Sequence, residues 1–113
     1  MVNSVANASS LNLTTTGRRS GRPHTVTLWF VTHKDKIYVC GDDLRRRDWC
    51  RNLLAQPDVS VKVGGSAFRG QARPVEDPDL LQLLTDLRRD KYAGAYMDMV
   101  KVFVEISLQG RAT

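Results

Sequence analysis

The chain reads as a mainly β protein, a small antiparallel barrel with peripheral helices, and three observations point there. Six short runs alternate apolar and polar residues with period two, the links between them are mostly short, and only two stretches carry helical spacing. At 113 residues the chain suits one domain, 1–113, with a single modest core. Residues 1–10 are small and polar and read as a flexible lead-in.

In the first strand Leu11, Leu13 and Thr15 share a face. Val26, Leu28 and Phe30 share one in the second, with Thr25, Thr27 and Trp29 opposite. Ile37 and Val39 define the third, after a polar turn at His33 to Lys36. A helix is expected over Leu44 to Ala55, with Leu44, Trp49, Cys50, Leu53 and Leu54 near one face and Pro57 as its stop. Val59, Val61 and Val63 make the fourth strand, and Gly64-Gly65 is a two-residue hairpin signal into the fifth. There Phe68 and Ala72 face one way while Arg69, Gln71 and Arg73 face the other. Asp77 and Pro78 cap and open a second helix running to about Tyr92. Its apolar positions are Leu80, Leu81, Leu84 and Leu87, and Arg88, Arg89 and Lys91 suit its C-terminal end. The last strand carries Val102, Val104, Ile106 and Leu108 on one side.

Composition narrows the class. Hydrophobic residues at 42% and charged residues at 26% are those of an ordinary soluble protein. No apolar run approaches the roughly 20 residues of a membrane span, and Met1 to Ser10 have no signal-peptide pattern, so a cytoplasmic location is expected. Seventeen Lys and Arg against twelve Asp and Glu leave a net charge of +5. Arg18, Arg19, Arg22, Arg45, Arg46, Arg47 and Arg51 supply it in two clusters. Clustered charge suggests a local anion site, and the arginines are not interleaved with stacking aromatic residues, so nucleic acid is not an expected partner. Cys40 and Cys50 lack CxxC spacing and read as reduced, packed thiols. Cys40, Cys50, His24 and His33 show no metal-ligand spacing, and there is no Ser/His/Asp arrangement; no catalytic residue is assigned.

The stretch from Thr14 to Leu28 is the most informative. Two strand-like runs flank a loop in which Gly17, Arg18, Arg19, Ser20, Gly21 and Arg22 are crowded together. Glycines let main-chain N–H groups point inward together, and guanidinium forks match phosphate or carboxylate oxygens two at a time. A hairpin does not require three arginines. An anionic ligand such as a phosphate-bearing cofactor accounts for them, and so does a solvated surface loop. The second cluster, Arg45, Arg46 and Arg47, is expected in the first turn of the Leu44 helix, where the dipole disfavours cations. Asp42 and Asp43 offset part of that cost, and an anion at the helix start would offset the rest. Both clusters leave barrel strands and can meet in one groove.

The order of these pieces resembles the deazaflavin-dependent nitroreductase and quinone reductase family, of the flavin-binding split barrels near pyridoxamine-phosphate-oxidase-like proteins. The resemblance rests on Thr15-Thr16-Gly17-Arg18-Arg19-Ser20-Gly21-Arg22-Pro23 and on Asp48-Trp49-Cys50-Arg51-Asn52-Leu53-Leu54-Ala55-Gln56-Pro57. It continues through Val59-Ser60-Val61-Lys62-Val63-Gly64-Gly65 and Val75-Glu76-Asp77-Pro78. It implies a six-stranded antiparallel split β-barrel with two or three peripheral α-helices, a homodimer that binds coenzyme F420 at the subunit groove. The role of holding the coenzyme's phosphate and acidic tail carries to Arg18, Arg19, Ser20 and Arg22. His24 stands where the family commonly has arginine and is a weaker, pH-sensitive donor. The segment from Thr25 and Val26 to Trp29 would run beneath the deazaflavin ring. Arg46 and Arg47 would assist from the helix start. Trp29, Tyr92 and Tyr96 correspond to the acceptor side, although Trp29 also reads as ordinary strand packing. Trp49 reads as core, and Asn52 as a residue that caps or orients a neighbouring loop.

The implied activity is that of an oxidoreductase passing a hydride from reduced deazaflavin to a quinone, enone or nitro acceptor. The arginine-rich turn before the Trp49 helix is more compact than in many relatives. That departure keeps two alternatives open: the same barrel with FMN, and a non-enzymatic carrier of an anionic apolar ligand such as a fatty acid or haem.

Overall fold

The period-two runs pair as antiparallel strands. The computed structural model describes residues 5–41, 47–95 and 102–111. In chain order the elements are β1 (Leu11–Thr16), β2 (Pro23–Leu28), β3 (Phe30–His33), β4 (Lys36–Gly41), α1 (Asp48–Ala55), β5 (Asp58–Val63), β6 (Ser66–Pro74), α2 (Pro78–Lys91) and β7 (Val102–Arg111). They form one sheet of order β2-β1-β5-β6-β7-β4-β3, with every neighbouring pair antiparallel.

Among the described residues seven strands replace the six expected because the second run divides at Trp29. Before it, Leu28 to Pro23 pair with Leu11 to Thr16 of β1; after it, Phe30 to His33 pair with Val39 to Lys36 of β4. The side-chain alternation continues through the break, so pattern alone could not reveal the change of neighbour. Its consequence is architectural. β2 and β3 are opposite edges of the sheet yet consecutive in the chain, so the sheet curls until its edges meet at Trp29.

The curled interior holds Leu11, Leu13, Phe30, Ile37, Val39, Val61, Phe68, Val104 and Ile106, with Val5 and the inner face of α1 closing it. A second cluster lies outside, where α2 covers Val31, Tyr38 and Phe103 through Leu84, with Leu80, Leu81 and Leu87 beside it. Both faces of β7 are therefore covered around Phe103 to Ile106. Glu105 on that outer face lies between Tyr38 and Arg73 in register. It accepts from Lys36 Nζ at 3.1 Å, Tyr38 Oη at 3.2 Å and Arg73 Nη2 at 3.3 Å. Burial alone would raise its carboxyl pKa, but these donors and their charges hold it below the ordinary value.

Local chemistry explains the turns and helix ends. Gly64 and Gly65 take φ of 56° and 80°, the pair of positive angles a tight β5–β6 hairpin needs. Asp77 caps α2 by accepting from the Asp79 N–H at 3.0 Å, and Pro78 opens the helix. α1 is shorter than expected: Arg47 is extended (φ −86°, ψ 136°), so the first turn begins at Asp48 and Arg47 is the N-cap rather than a first-turn residue. Leu54 is also corrected; it is 50% exposed because it falls off the stripe of Trp49, Cys50 and Leu53 that faces the interior. Leu44, Arg45 and Arg46 lie outside the described residues. Among the described residues there are two helices, and no helix is long and apolar enough to cross a membrane.

Candidate functional site

The arginine loop spans β1 and β2. Gly17 N–H donates to Arg22 O at 2.7 Å and Gly21 N–H to Gly17 O at 2.9 Å, with Gly21 at φ 71°. A Cβ on Gly17 would lie 2.7 Å from Ser20 Oγ and 2.9 Å from His24 Nε2, so the glycine lets these two side chains pack closely against the loop backbone. Arg22 N–H donates to Ser20 Oγ at 3.1 Å, which leaves the serine O–H available to a ligand.

The three arginines take different parts. Arg18 turns inward: Nη1 donates to Asn52 Oδ1 at 2.8 Å, its backbone N–H reaches the same oxygen at 3.2 Å, and Nη2 meets Asp48 Oδ1 at 3.3 Å. Asn52, 2% exposed, also donates Nδ2 to the buried Thr15 hydroxyl at 3.3 Å. One buried amide thus joins the start of the arginine loop to α1. Arg19 and Arg22 are exposed, and among the described residues neither guanidinium has a hydrogen bond or ion pair. One cation is thus braced and two are presented to solvent.

β2 continues from the loop as a sheet edge, so along its outer side alternate backbone N–H and C=O groups have no strand partner in the sheet. His24 and Thr25 are exposed on it, and Val26 is half-buried against the interior. Thr25 shares a hydroxyl hydrogen bond of 2.8 Å with Thr14.

At the far end of β2 the chain brings Trp29 and Tyr92 together. Their rings stack with centroids 4.3 Å apart and planes 7° off parallel. The Tyr92 hydroxyl is within 3.0 Å of both Phe30 N and Phe30 O and 2.9 Å from Ser9 O, which pins the ring to the break between β2 and β3. Arg88 lies over both rings, at 5.1 Å and 5.2 Å, and donates Nη1 to Ala95 O at 2.8 Å. Lys91 donates to Phe30 O at 2.9 Å and sits 3.6 Å from the Phe30 ring centroid. The pattern marked these two cations only as helix-end charges. Arg88 is buried, and the signal was present: Leu81, Leu84 and Arg88 follow the spacing of one helix stripe.

Burial pushes the Lys91 ammonium down to about 8 from an ordinary 10.5, against a smaller opposing pull from Cys40. An amine that loses its proton more easily in the folded state makes the unfolded chain the stronger proton binder above about pH 8, so stability rises with pH there. Cys40 acts in the opposite sense above its ordinary 9.0, because burial raises its thiol to about 11 and the folded state then holds the extra proton. Between about pH 8 and 9 the Lys91 effect is therefore expected alone. Urea midpoints of the parent should rise across that interval relative to Lys91→Met, and parallel curves would refute the assignment.

Of the residues expected at the site, Arg18, Arg19, Ser20, Arg22, His24 and Thr25 are gathered at one end of β2, and Trp29 and Tyr92 at the other. Arg47 is exposed at the start of α1. Arg46 and Tyr96 lie outside the described residues.

Comparison with known proteins supplies the family. Residues 1–106 match the model of the F420H(2)-dependent quinone reductase family. The chain belongs to that family. It is 35% identical over 93 residues to the F420H(2)-dependent quinone reductase Rv1261c of Mycobacterium tuberculosis, covering 75% of this chain and 62% of the relative's length. The chain thus spans less than two thirds of the curated relatives it matches. Among solved structures, the conserved hypothetical protein Rv2991 from Mycobacterium tuberculosis superposes with a TM-score of 0.80 at 24% identity, over 97% of this chain and 79% of that one. The F420-H2 dependent reductase FDR-A superposes at 0.72 with 23% identity, over 88% and 94%. At those identities the structures establish the shared fold.

Proposed function

We propose that this protein is an F420H2-dependent oxidoreductase that passes a hydride to a quinone, enone or nitro acceptor and works as a homodimer. Family membership supplies the reaction class, and the observation that carries the reading is the division of labour among the three loop arginines. Asn52 and Asp48 hold Arg18 in place, so the loop is rigid before any ligand arrives. Arg19 and Arg22 then offer two free guanidinium forks beside the Ser20 hydroxyl. These residues fit a phosphate group and an acidic tail. When bound, the reduced deazaflavin supplies the hydride.

The chain's own residues bind, orient and shield. The β2 edge presents backbone groups at Thr25 and Val26 along which a planar ring aligns. The Trp29–Tyr92 stack forms an aromatic wall at the end of that strand, excluding water and limiting the faces from which an acceptor approaches. The nearby cations, Arg88 and Lys91, favour negative charge developing on an acceptor oxygen. The reaction asks for no nucleophile, and none is assigned.

A fluorescence titration tests the reading. Micromolar binding of F420 with no binding of FMN is the expected result. Binding of FMN alone would keep the barrel and replace the cofactor, and silence from both would favour a non-redox carrier of an anionic apolar ligand.

A further inference from the structure

Reduction by hydride also requires a proton. The hydride adds an electron pair to its acceptor and leaves an oxygen anion, and a quinone reaches its stable reduced form only when that oxygen is protonated. The groups at the Trp29 end of β2 differ in their ability to do this. Tyr92 Oη accepts from Phe30 N–H at 3.0 Å and donates to a backbone oxygen, Ser9 O at 2.9 Å or Phe30 O at 3.0 Å, so its one proton is committed. Burial also pushes its hydroxyl pKa up. Arg88 donates Nη1 to Ala95 O at 2.8 Å, and a guanidinium keeps its protons. His24 stands at the opposite end of β2.

Lys91 is different. It is the last residue of α2, where the helix dipole favours a cation. Its Nζ lies 3.6 Å from the Phe30 ring centroid and 5.3 Å from that of Tyr92. Among the described residues its one hydrogen bond is to Phe30 O at 2.9 Å, and no carboxylate pairs with it. An ammonium has three N–H bonds, so two stay available beside the aromatic wall. The other charged and titratable groups here are Arg88 and Tyr92 of α2 and Cys40 of β4. Burial in this setting makes the ammonium readier to release a proton, with its pKa at about 8.

We propose that Lys91 is the general acid of the reduction: its ammonium hydrogen-bonds the acceptor oxygen and protonates it as the hydride arrives. One Lys91 N–H bond breaks, one O–H bond forms on the acceptor, and the neutral amine recovers its proton from water. The electron pair of the hydride stays with the acceptor, which is reduced; Lys91 changes only its protonation state. The assignment rests on the reductase reading. It separates Lys91 from Arg88, which can stabilise the oxygen anion but cannot protonate it.

Two measurements on the full chain test this. Without coenzyme, the Lys91 Cε–Hε resonances, assigned by their absence in Lys91→Arg, are titrated with pH alone and with 4-nitrophenol, whose phenolate mimics the reduced acceptor. The midpoint is expected at about pH 8 alone and higher with the phenolate bound. Resonances that respond to pH but not to the phenolate overturn the contact. With F420H2 and a 1,4-naphthoquinone, kcat/KM of wild type for the quinone is expected to fall as pH rises through about 8, because the acid form is lost. Lys91→Arg keeps the positive charge and cannot give a proton, so its rate should be roughly a hundredfold lower with that pH dependence gone. A merely structural lysine would move the urea midpoint or KM and leave the pH dependence in place. Survival of the fall near pH 8 in Lys91→Arg therefore overturns the assignment and passes the step to water or Tyr96. If wild type itself transfers no hydride, the reductase reading falls and the general acid falls with it.

Discussion

Arg19→Ala combined with Arg22→Ala is expected to weaken F420 binding at least a hundredfold while leaving the urea midpoint where it was. Each guanidinium offers a charge-assisted contact of ~1.5–3 kcal/mol, and two together give ~3–6 kcal/mol. Neither side chain has a partner among the described residues, so removing both takes nothing from the folded state. The residual affinity should depend less steeply on salt, because the charges that salt screens are gone. Fluorescence titration at two ionic strengths, with urea unfolding of the same protein, checks all three statements. Parent-like affinity in the double variant would refute the loop as the phosphate site. Arg18→Ala should behave differently and lose stability and affinity together, because Arg18 is the brace.

Asn52→Ala is the second large effect, and it falls on stability. The side chain is almost fully buried, accepts twice from Arg18 and donates to the Thr15 hydroxyl. Truncation leaves Arg18 and Thr15 with unmet hydrogen-bonding groups and opens a small void, for an expected loss of ~2–4 kcal/mol. Asn52→Asp should lose less, since a carboxylate still accepts from Arg18 and can take the Thr15 O–H in place of the lost donor. The order of urea midpoints, parent above Asp above Ala, is the readout; an unmoved midpoint in the alanine variant would show that the loop does not depend on α1. Loosening the loop should also weaken F420 binding in Asn52→Ala with Arg19 and Arg22 intact, which separates positioning from contact.

The strands, the two helices and the hairpin at Gly64-Gly65 were legible in the sequence because each has a local cause. Period-two alternation, a proline after Asp77 and paired glycines act within a few residues. The crowding of arginines around Gly17 and Gly21 was legible for the same reason, as was the family to which that motif points. The division at Trp29 was not legible, since a strand that changes neighbours keeps its alternation. The start of α1 was misjudged because the apolar spacing reaches back to Leu44, whereas the backbone is still extended at Arg47. Arg88 was placed only as a helix-end charge, although its spacing from Leu81 and Leu84 sets it on the apolar stripe; how deeply it is buried depends on the strands that α2 covers.

What the sequence determined by itself is therefore the inventory: which runs are strands, where turns and helix caps fall, and which segment is rich enough in arginine and glycine to hold an anion. The tertiary structure alone decided how that inventory is used. It made Arg18 a brace and left Arg19 and Arg22 free, set Tyr92 on Trp29 across more than sixty residues of chain, and brought Lys91 to the Phe30 carbonyl. The physical reason is range. Propensity and periodicity act between near neighbours, whereas partner choice, burial and register depend on which distant segments come to lie side by side, and that is settled only when the sheet curls and closes around its core.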